Sequence, residues 1–360
     1  MWLSNIPDYT HGLLNTAVYL APSLDDETDA TVAANCLVNT GSWRNGDEFC
    51  YNYTLLLTAD VPRFLGCRIM EIDPWGLILL RRLPTPRPLH ELASFEEFNY
   101  WLAKMLFCTL IPGTPSHVPI ERVNYPNNLK AFVDLLIHLH RVGFPAHWLS
   151  GILTAIVSDN LYSGATPYLG SLPIPSSERT KQVPRRKVNL RPWQAELENI
   201  LAVSHEALAF PVTFPVGFAL SPEEISFYSV EAPRHLFKYT TAANFYSPFI
   251  SVMGLLFFKP GAQSADQLAA NVQDILEGKM GANGTVQILT MVDTFDIQNG
   301  KIQWAMSREK VRMMRAEGWV MTPPRFDTCG SVVYQPFLTR SWVDDSWEAQ
   351  FERALHAAAI

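Results

Sequence analysis

The sequence predicts a mixed fold: an α/β part, a helical connector and a C-terminal α+β part. Three observations predict it. Over the first 80 residues, short apolar runs alternate with helical segments and end in a hairpin signal at Asp73-Pro74. Residues 94–161 carry long stretches of helical periodicity broken by proline and glycine. Residues 249–335 read strand, helix, strand, strand, helix, strand.

A chain of 360 residues holds two or three domains. Charged residues make up only 18%, below the usual quarter, so large buried interfaces are expected. The net charge of -7 argues against general nucleic-acid binding, which needs a basic face. Cys36, Cys50, Cys67, Cys108 and Cys329 are scattered and never form C-x-x-C, as expected of reduced, buried thiols in the cytoplasm or nucleus. Ser4, Asn5, Asp8 and His11 interrupt any signal peptide. No apolar run nears the ~20 residues of a membrane span. The glycosylation triplets at Asn52 and Asn283 are expected to be chance.

Residues 1–82 form the first expected part. Trp2 to Ser4 ends a strand; Leu13 to Leu20 and Asp25 to Ala34 read as helical turns. Asn35 to Thr40 is a short strand stopped by Gly41. Asn45 or Asp47 caps a helix running to about Leu57. Pro62 breaks the chain, and Cys67 to Ile72 and Trp75 to Leu80 form a hairpin. This order matches the second half of a class I methyltransferase sheet, a partial Rossmann-like sheet. In such folds, ligands sit at the carboxyl ends of the strands. Ser4-Asn5-Ile6-Pro7-Asp8-Tyr9 would fill the loop that faces substrate. It loosely resembles the Asn-Pro-Pro-Tyr signature of amino-methylating enzymes, with Ile6 in place of the first proline and Asp8 inserted before Tyr9. Asn5, Pro7, Asp8 and Tyr9 are therefore the candidate catalytic residues, facing an amine, with S-adenosylmethionine as the implied methyl donor. The alternative is a helix-entry loop capped by Asn5 or Asp8. The donor-binding half of such a sheet needs a glycine-rich turn, yet no G-x-G occurs in the chain. An upstream segment or a protein partner is expected to complete the sheet.

Residues 83–162 are the expected helical connector. Leu83-Pro84-Thr85-Pro86-Arg87-Pro88 is extended. Ser94 and Glu97 form a capping box for a helix with Phe95, Phe98, Trp101, Leu102, Met105 and Leu106 on one face. Asn128 to Val142 and Ala146 to Leu161 form an αα-hairpin about Gly143-Phe144-Pro145. His138 and His140 diverge by about 200° on a helix and do not chelate together. Asp134 is placed to pair with His138. No metal site is expected.

Residues 163–195 form a proline-rich basic linker, including Arg179, Lys181, Arg185, Arg186, Lys187 and Arg191. Arg185, Arg186 and Lys187 are candidate docking residues or an import signal; the alternative is a solvated loop folded over acidic surface. Residues 196–360 form the last expected part. Its helix Trp193 to His205 starts just before the boundary, and Ser221-Pro222-Glu223-Glu224 marks another helix start. Ser264 caps a helix to Glu277, and Ser307 starts one through Ala316. The β-α-β-β-α-β order predicts a ferredoxin-like domain, and Trp342 to Ala358 is expected as a docked helix.

Nucleophile elbows, zinc-protease, phosphate-loop and kinase motifs are absent from the sequence. Asp25, Asp26, Glu27 and Asp29 lack the spacing of a calcium loop. Trp43 and Arg44 could line a cleft, or Trp43 could close the core.

Trp2-Leu3-Ser4-Asn5-Ile6-Pro7-Asp8-Tyr9-Thr10, Cys36-Leu37-Val38-Asn39-Thr40-Gly41, Phe144-Pro145-Ala146-His147-Trp148-Leu149 and Leu172-Pro173-Ile174-Pro175 together carry a resemblance. The chain resembles the C-terminal portion of fungal proteins of unassigned activity that often bear a MYND-type zinc finger. Their shared domain is similar to the N-terminal region of dynein axonemal assembly factor 3, which looks like a degenerate methyltransferase fold. The absent donor loop, the low charge and the exposed first strand point to a non-catalytic scaffold or protein-interaction protein with no cofactor; no activity is attached to the resemblance. The resemblance implies an upstream half. The finger itself is lacking here, because no Cys/His ligand set is present.

Overall fold

The computed structural model describes residues 3, 12–25, 29–35, 43–73, 76–111, 129–168, 173–232, 254–261, 263–281, 284–290, 295–296, 300–327, 330–332 and 335–346. Helix and sheet are mixed throughout, as the sequence predicts. The chain divides into two compact units: Met1–Ile156, Leu161–Lys187 and Leu208–Thr213 form the first, and Val157–Asn160, Val188–Ala207 and Phe214–Ile360 the second.

The first unit opens with α1 (Gly12–Asn15) and a wide helical turn, Thr16–Leu20. Gly12 has φ +63°, and a Cβ there would lie 2.1 Å from the Tyr53 ring, so only glycine fits. β1 is Thr31–Asn35. This corrects the helical turn expected up to Ala34. Thr31 and Val32 are β-branched, and all five residues pair with one neighbouring strand, which outweighs the helix preference of Ala33 and Ala34. The strand expected at 36–40 lies outside the described residues, as does the loop at Asn5, Pro7, Asp8 and Tyr9.

α2 (Gly46–Thr54) is capped by Asn45, whose side chain accepts from the Glu48 amide at 2.9 Å. Pro62 does not break the chain: it sits in the first turn of α3 (Val61–Leu65), where its missing N–H costs nothing. β2 (Cys67–Ile72) and β3 (Leu77–Arg82) form the expected hairpin. The sheet order is β1-β3-β2, with β3 antiparallel to both flanking strands. The register of β2 shifts between Ile69 and Glu71, a bulge that bends this edge strand. Residue 3 adjoins β1, because the Leu3 amide donates to the Ala33 carbonyl at 2.8 Å.

α4 (Phe95–Leu110) starts at the predicted capping box of Ser94 and Glu97. Phe98, Trp101, Leu102, Met105 and Leu106 are buried as expected, whereas Phe95 is exposed and meets Trp148 edge-on. α5 (Leu129–Val142) and α6 (Ala146–Val157) form the predicted hairpin. Gly143 makes the turn at φ +122°, where a Cβ would lie 2.6 Å from the Arg87 carbonyl oxygen. Phe98 stacks on Phe144 at 4.3 Å between centroids. Asp134 does not pair with His138. It accepts from the Tyr19 hydroxyl at 2.8 Å and from Lys130, while the His138 ring lies 3.0 Å from the Leu65 carbonyl. The segment after α6 has local structure: β4 (Tyr162–Ser163) pairs with β5 (Arg186–Lys187), and α7 (Ser176–Arg179) lies between them in sequence.

In the second unit, α8 (Gln194–Ser204) follows the expected Trp193 helix start. Ser221 caps only one turn, Pro222–Glu224, which runs straight into β6 (Ile225–Glu231). β7 is Leu255–Phe258. The helix expected to Glu277 breaks at Asn271 into α9 (Ala265–Ala270) and α10 (Val272–Leu276). β8 (Val286–Leu289), β9 (Phe295–Asp296), β10 (Lys301–Ser307), α11 (Arg308–Ala316) and β11 (Val320–Thr322) follow. β12 (Arg325–Asp327) pairs with β13 (Gly330–Val332). β14 (Phe337–Leu338) and β15 (Val343–Asp344) end the described chain, with strand where the tail helix was expected to start.

The predicted element order is present, but the pairing differs from a single ferredoxin-like sheet. β10 pairs over seven residues with β6, in the sheet β15-β6-β10-β9, whereas β7, β8 and β11 lie in the sheet β14-β11-β7-β8. The cause is β6, a strand the sequence reading lacked, which supplies β10 with a full-length partner. Tyr228, Val230, Ile302, Trp304 and Met306 from one sheet share a core with Leu255, Phe257, Leu289 and Met321 from the other. Phe257, Trp304 and Trp342 meet there edge-on at 5.2–5.7 Å.

Candidate functional site

Among the described residues, one group of titratable side chains in the first unit lies between α2 and α4. α4 presents Tyr100, Lys104 and Cys108 at four-residue spacing, hence on one helix face. α2 presents Tyr51 and Asn52 toward them, both buried. Residues 173–181 run across this pair. The Asn52 side-chain oxygen accepts from the Ile174 amide at 2.8 Å. Lys104 Nζ donates to the Glu178 carbonyl at 2.9 Å, and the Tyr100 hydroxyl donates to the Lys181 carbonyl at 2.6 Å. The Arg179 guanidinium lies 4.8 Å from the Tyr51 ring centroid, a cation–π distance. Lys104 Nζ lies 3.4 Å from the Tyr51 hydroxyl and 5.3 Å from the Tyr100 ring centroid.

The electrostatics of this group favour binding over nucleophilic attack. Burial pushes the Cys108 thiol up to about 12 and raises both the Tyr51 and Tyr100 hydroxyls. None of the three is activated as an anion. Burial also lowers Lys104, opposed by the fields of Cys108 and Glu178. The group is therefore rich in donors, and its thiol and phenols stay protonated.

Sequence reading missed this group. Its only local signal is a lysine inside the apolar run Ala103-Lys104-Met105-Leu106-Phe107. Its covering segment, residues 173–181, lies far along the chain within the expected basic linker.

Of the sequence-predicted residues, Asn5, Pro7, Asp8 and Tyr9 lie outside the described residues. The structure separates the roles of the basic trio. Arg186 turns inward from β5, donating to the Ser163 carbonyl at 3.2 Å and the Ala165 carbonyl at 3.0 Å. Arg185 and Lys187 are exposed on either side of it. Trp43 is buried against Phe49 and Tyr53, so it closes a core. Among the described residues, no three His, Cys, Asp or Glu side chains converge as a metal site. No helix among them is long and apolar enough to cross a membrane.

A second polar group lies in the other unit along α8. Glu196 accepts from the Thr290 amide at 2.8 Å and its hydroxyl at 2.9 Å. Glu198 accepts from the Ala219 amide at 2.8 Å and meets Lys310 Nζ at 2.8 Å. Gln287 accepts from the Ala195 amide and donates to the Arg191 carbonyl. All are buried partners of neighbouring chain segments.

No family model matches the chain, and neither the curated proteins nor the solved structures give a match.

Proposed function

We propose that this chain is a non-catalytic scaffold or protein-interaction protein that works in the cytoplasm or nucleus. One observation carries the reading: the buried acidic and basic side chains tie distant chain segments together. Lys104 holds Glu178, His138 meets Leu65, Asp159 accepts from Leu190, Glu196 from Thr290, and Glu198 from Ala219; Asp345 accepts from Gln303. A catalytic site leaves such groups converging on an opening toward substrate. Here each makes a structural hydrogen bond to another chain segment. The partner in this reading is a protein, or a further segment, that extends the sheet of the first unit. The chain has no G-x-G turn to receive a methyl donor.

A second reading is a methyltransferase fragment in which Asn5, Pro7, Asp8 and Tyr9 face an amine. The sheet order β1-β3-β2 supports it, because the last strand of a class I methyltransferase sheet also inserts antiparallel between its two predecessors. The ferredoxin-like assignment of the second unit has no such support.

Titration of the full chain with S-adenosylmethionine, followed by calorimetry, tests the choice. The scaffold reading expects no saturable heat. One-to-one binding with Kd below about 10 μM, near −7 kcal/mol, overturns it.

A further inference from the structure

We propose that Tyr51, Lys104 and Arg179 form a binding site for a small oxyanion, a phosphate or carboxylate group. The inference rests on an imbalance of charge and of donors. Lys104 is 8% exposed. Among the described residues, no carboxylate lies within 4.0 Å of Lys104 or of Arg179. The nearby carboxylates are engaged elsewhere: Glu178 pairs with Lys181 at 2.8 Å, and Asp47 accepts from the Thr58 amide at 3.0 Å. Two cations thus flank one buried tyrosine with no described carboxylate in direct contact, feeling Asp47 and Glu178 only at longer range. Buried charges in proteins are ordinarily paired.

The donors tell the same story. Arg179 Nε is buried and has no hydrogen-bond partner among the described residues. Lys104 spends one N–H on the Glu178 carbonyl and one, at 3.4 Å, on the Tyr51 oxygen, leaving a third. The Tyr51 hydroxyl, which accepts from Lys104, has no acceptor for its own proton among the described residues. A guanidinium fork, an ammonium and a phenol are all donors, and together they fit the oxygens of one anion. A neutral ligand would leave both charges without a contacting anion, and a cation would add a third. The guanidinium over the Tyr51 face and the ammonium at its hydroxyl place the anion at the rim of that ring. α7, which carries Arg179, begins at the exposed residues Ser176 and Ser177.

The test is calorimetric titration of the full chain with sodium phosphate, with sodium acetate as the carboxylate arm. Sodium chloride at matched ionic strength is the blank. The expected result is saturable phosphate binding with Kd near about 1 mM. Arg179→Gln and Lys104→Met are each expected to weaken it at least about tenfold. Arg141→Gln, on the exposed side of α5, is expected to leave it unchanged, which separates a site from general attraction. Acetate binding at equal strength identifies a carboxylate site; phosphate binding alone identifies a phosphate site. Absence of saturable heat with both anions up to about 50 mM overturns the proposal. So does equal binding by wild type and Arg179→Gln, which decides the matter even where Lys104→Met fails to fold.

Discussion

Asp159 gives the sharpest test of how the second unit is held. It has φ +52°, a left-handed conformation that costs most side chains about 1–2 kcal/mol and that Asp and Asn tolerate best. Its Oδ1 accepts from the Leu190 amide at 2.6 Å, and its Oδ2 from Arg191 Nε at 3.2 Å. Leu190 is buried, so its amide has no solvent to turn to. Replacement by alanine removes a charge-assisted bond worth about 1.5–3 kcal/mol and leaves that donor unmet. The Arg191 side chain is 56% exposed, so the ion pair adds less than about 1 kcal/mol after screening. Alanine also keeps the backbone strain without a local polar side chain. Asp159→Ala should therefore cost about 3–4 kcal/mol. Asp159→Gly loses the same bonds but sheds the strain, and should cost about 1 kcal/mol less than alanine. Asp159→Asn keeps an acceptor and the tolerance for this φ, and should cost about 1 kcal/mol. Urea unfolding followed by tryptophan fluorescence reads the series, since Trp193 is buried three residues from Leu190. An alanine variant within about 0.5 kcal/mol of wild type would refute the reasoning. So would a glycine variant weaker than the alanine one.

Burial, joined by the fields of Arg141 and Arg82, holds the His138 imidazole below its ordinary pKa; the Leu65 carbonyl opposes this. The neutral ring is the stable one, so its contribution is full above about pH 6.5 and is lost as pH falls through the lowered folded value. His138→Gln, which keeps a donor for Leu65, should flatten the fall in urea stability between about pH 7 and pH 5; an unchanged slope would count against the linkage. Trp101→Phe removes the indole N–H that donates to the Thr54 carbonyl at 2.9 Å at the end of α2. Its cost should be about 2–4 kcal/mol in thermal or urea melts, combining an unmet carbonyl with lost ring volume. Thr290→Val keeps shape but removes the hydroxyl donated to Glu196 at 2.9 Å. The loss should be about 1.5–3 kcal/mol, since the acceptor is a buried carboxylate, and a neutral outcome in the same melts would show that the amide bond alone suffices.

Local chemistry made some elements legible. The Ser94 and Glu97 capping box, the buried face of α5 and the Asn45 cap are written within a few residues of one another, and all are present. Elements set by distant partners were not. β1 contains two adjacent alanines whose helix preference yields to pairing with β3, more than 40 positions away. β6 hides its alternation because Phe227 on the outward face is as apolar as Tyr228 and Val230 on the inward one. Missing β6 also misplaced β10, because a strand takes whichever long partner is available.

The same physics explains why the Lys104 group was invisible. Its partners are mostly backbone carbonyls of residues 178 and 181, and a carbonyl carries no sequence signature. A side chain recognising backbone specifies a path of the chain, not the residue found there. Such ties are readable only once the path is known. They also constrain the functional reading: a basic stretch looks like a docking signal in sequence, yet Arg186 fastens β5 to the loop after β4. The residues left for recognition are those whose donors the fold does not consume. By that criterion Arg179, whose Nε has no partner among the described residues, is a candidate for recognition, whereas Arg186 Nη1 is already held by two carbonyls.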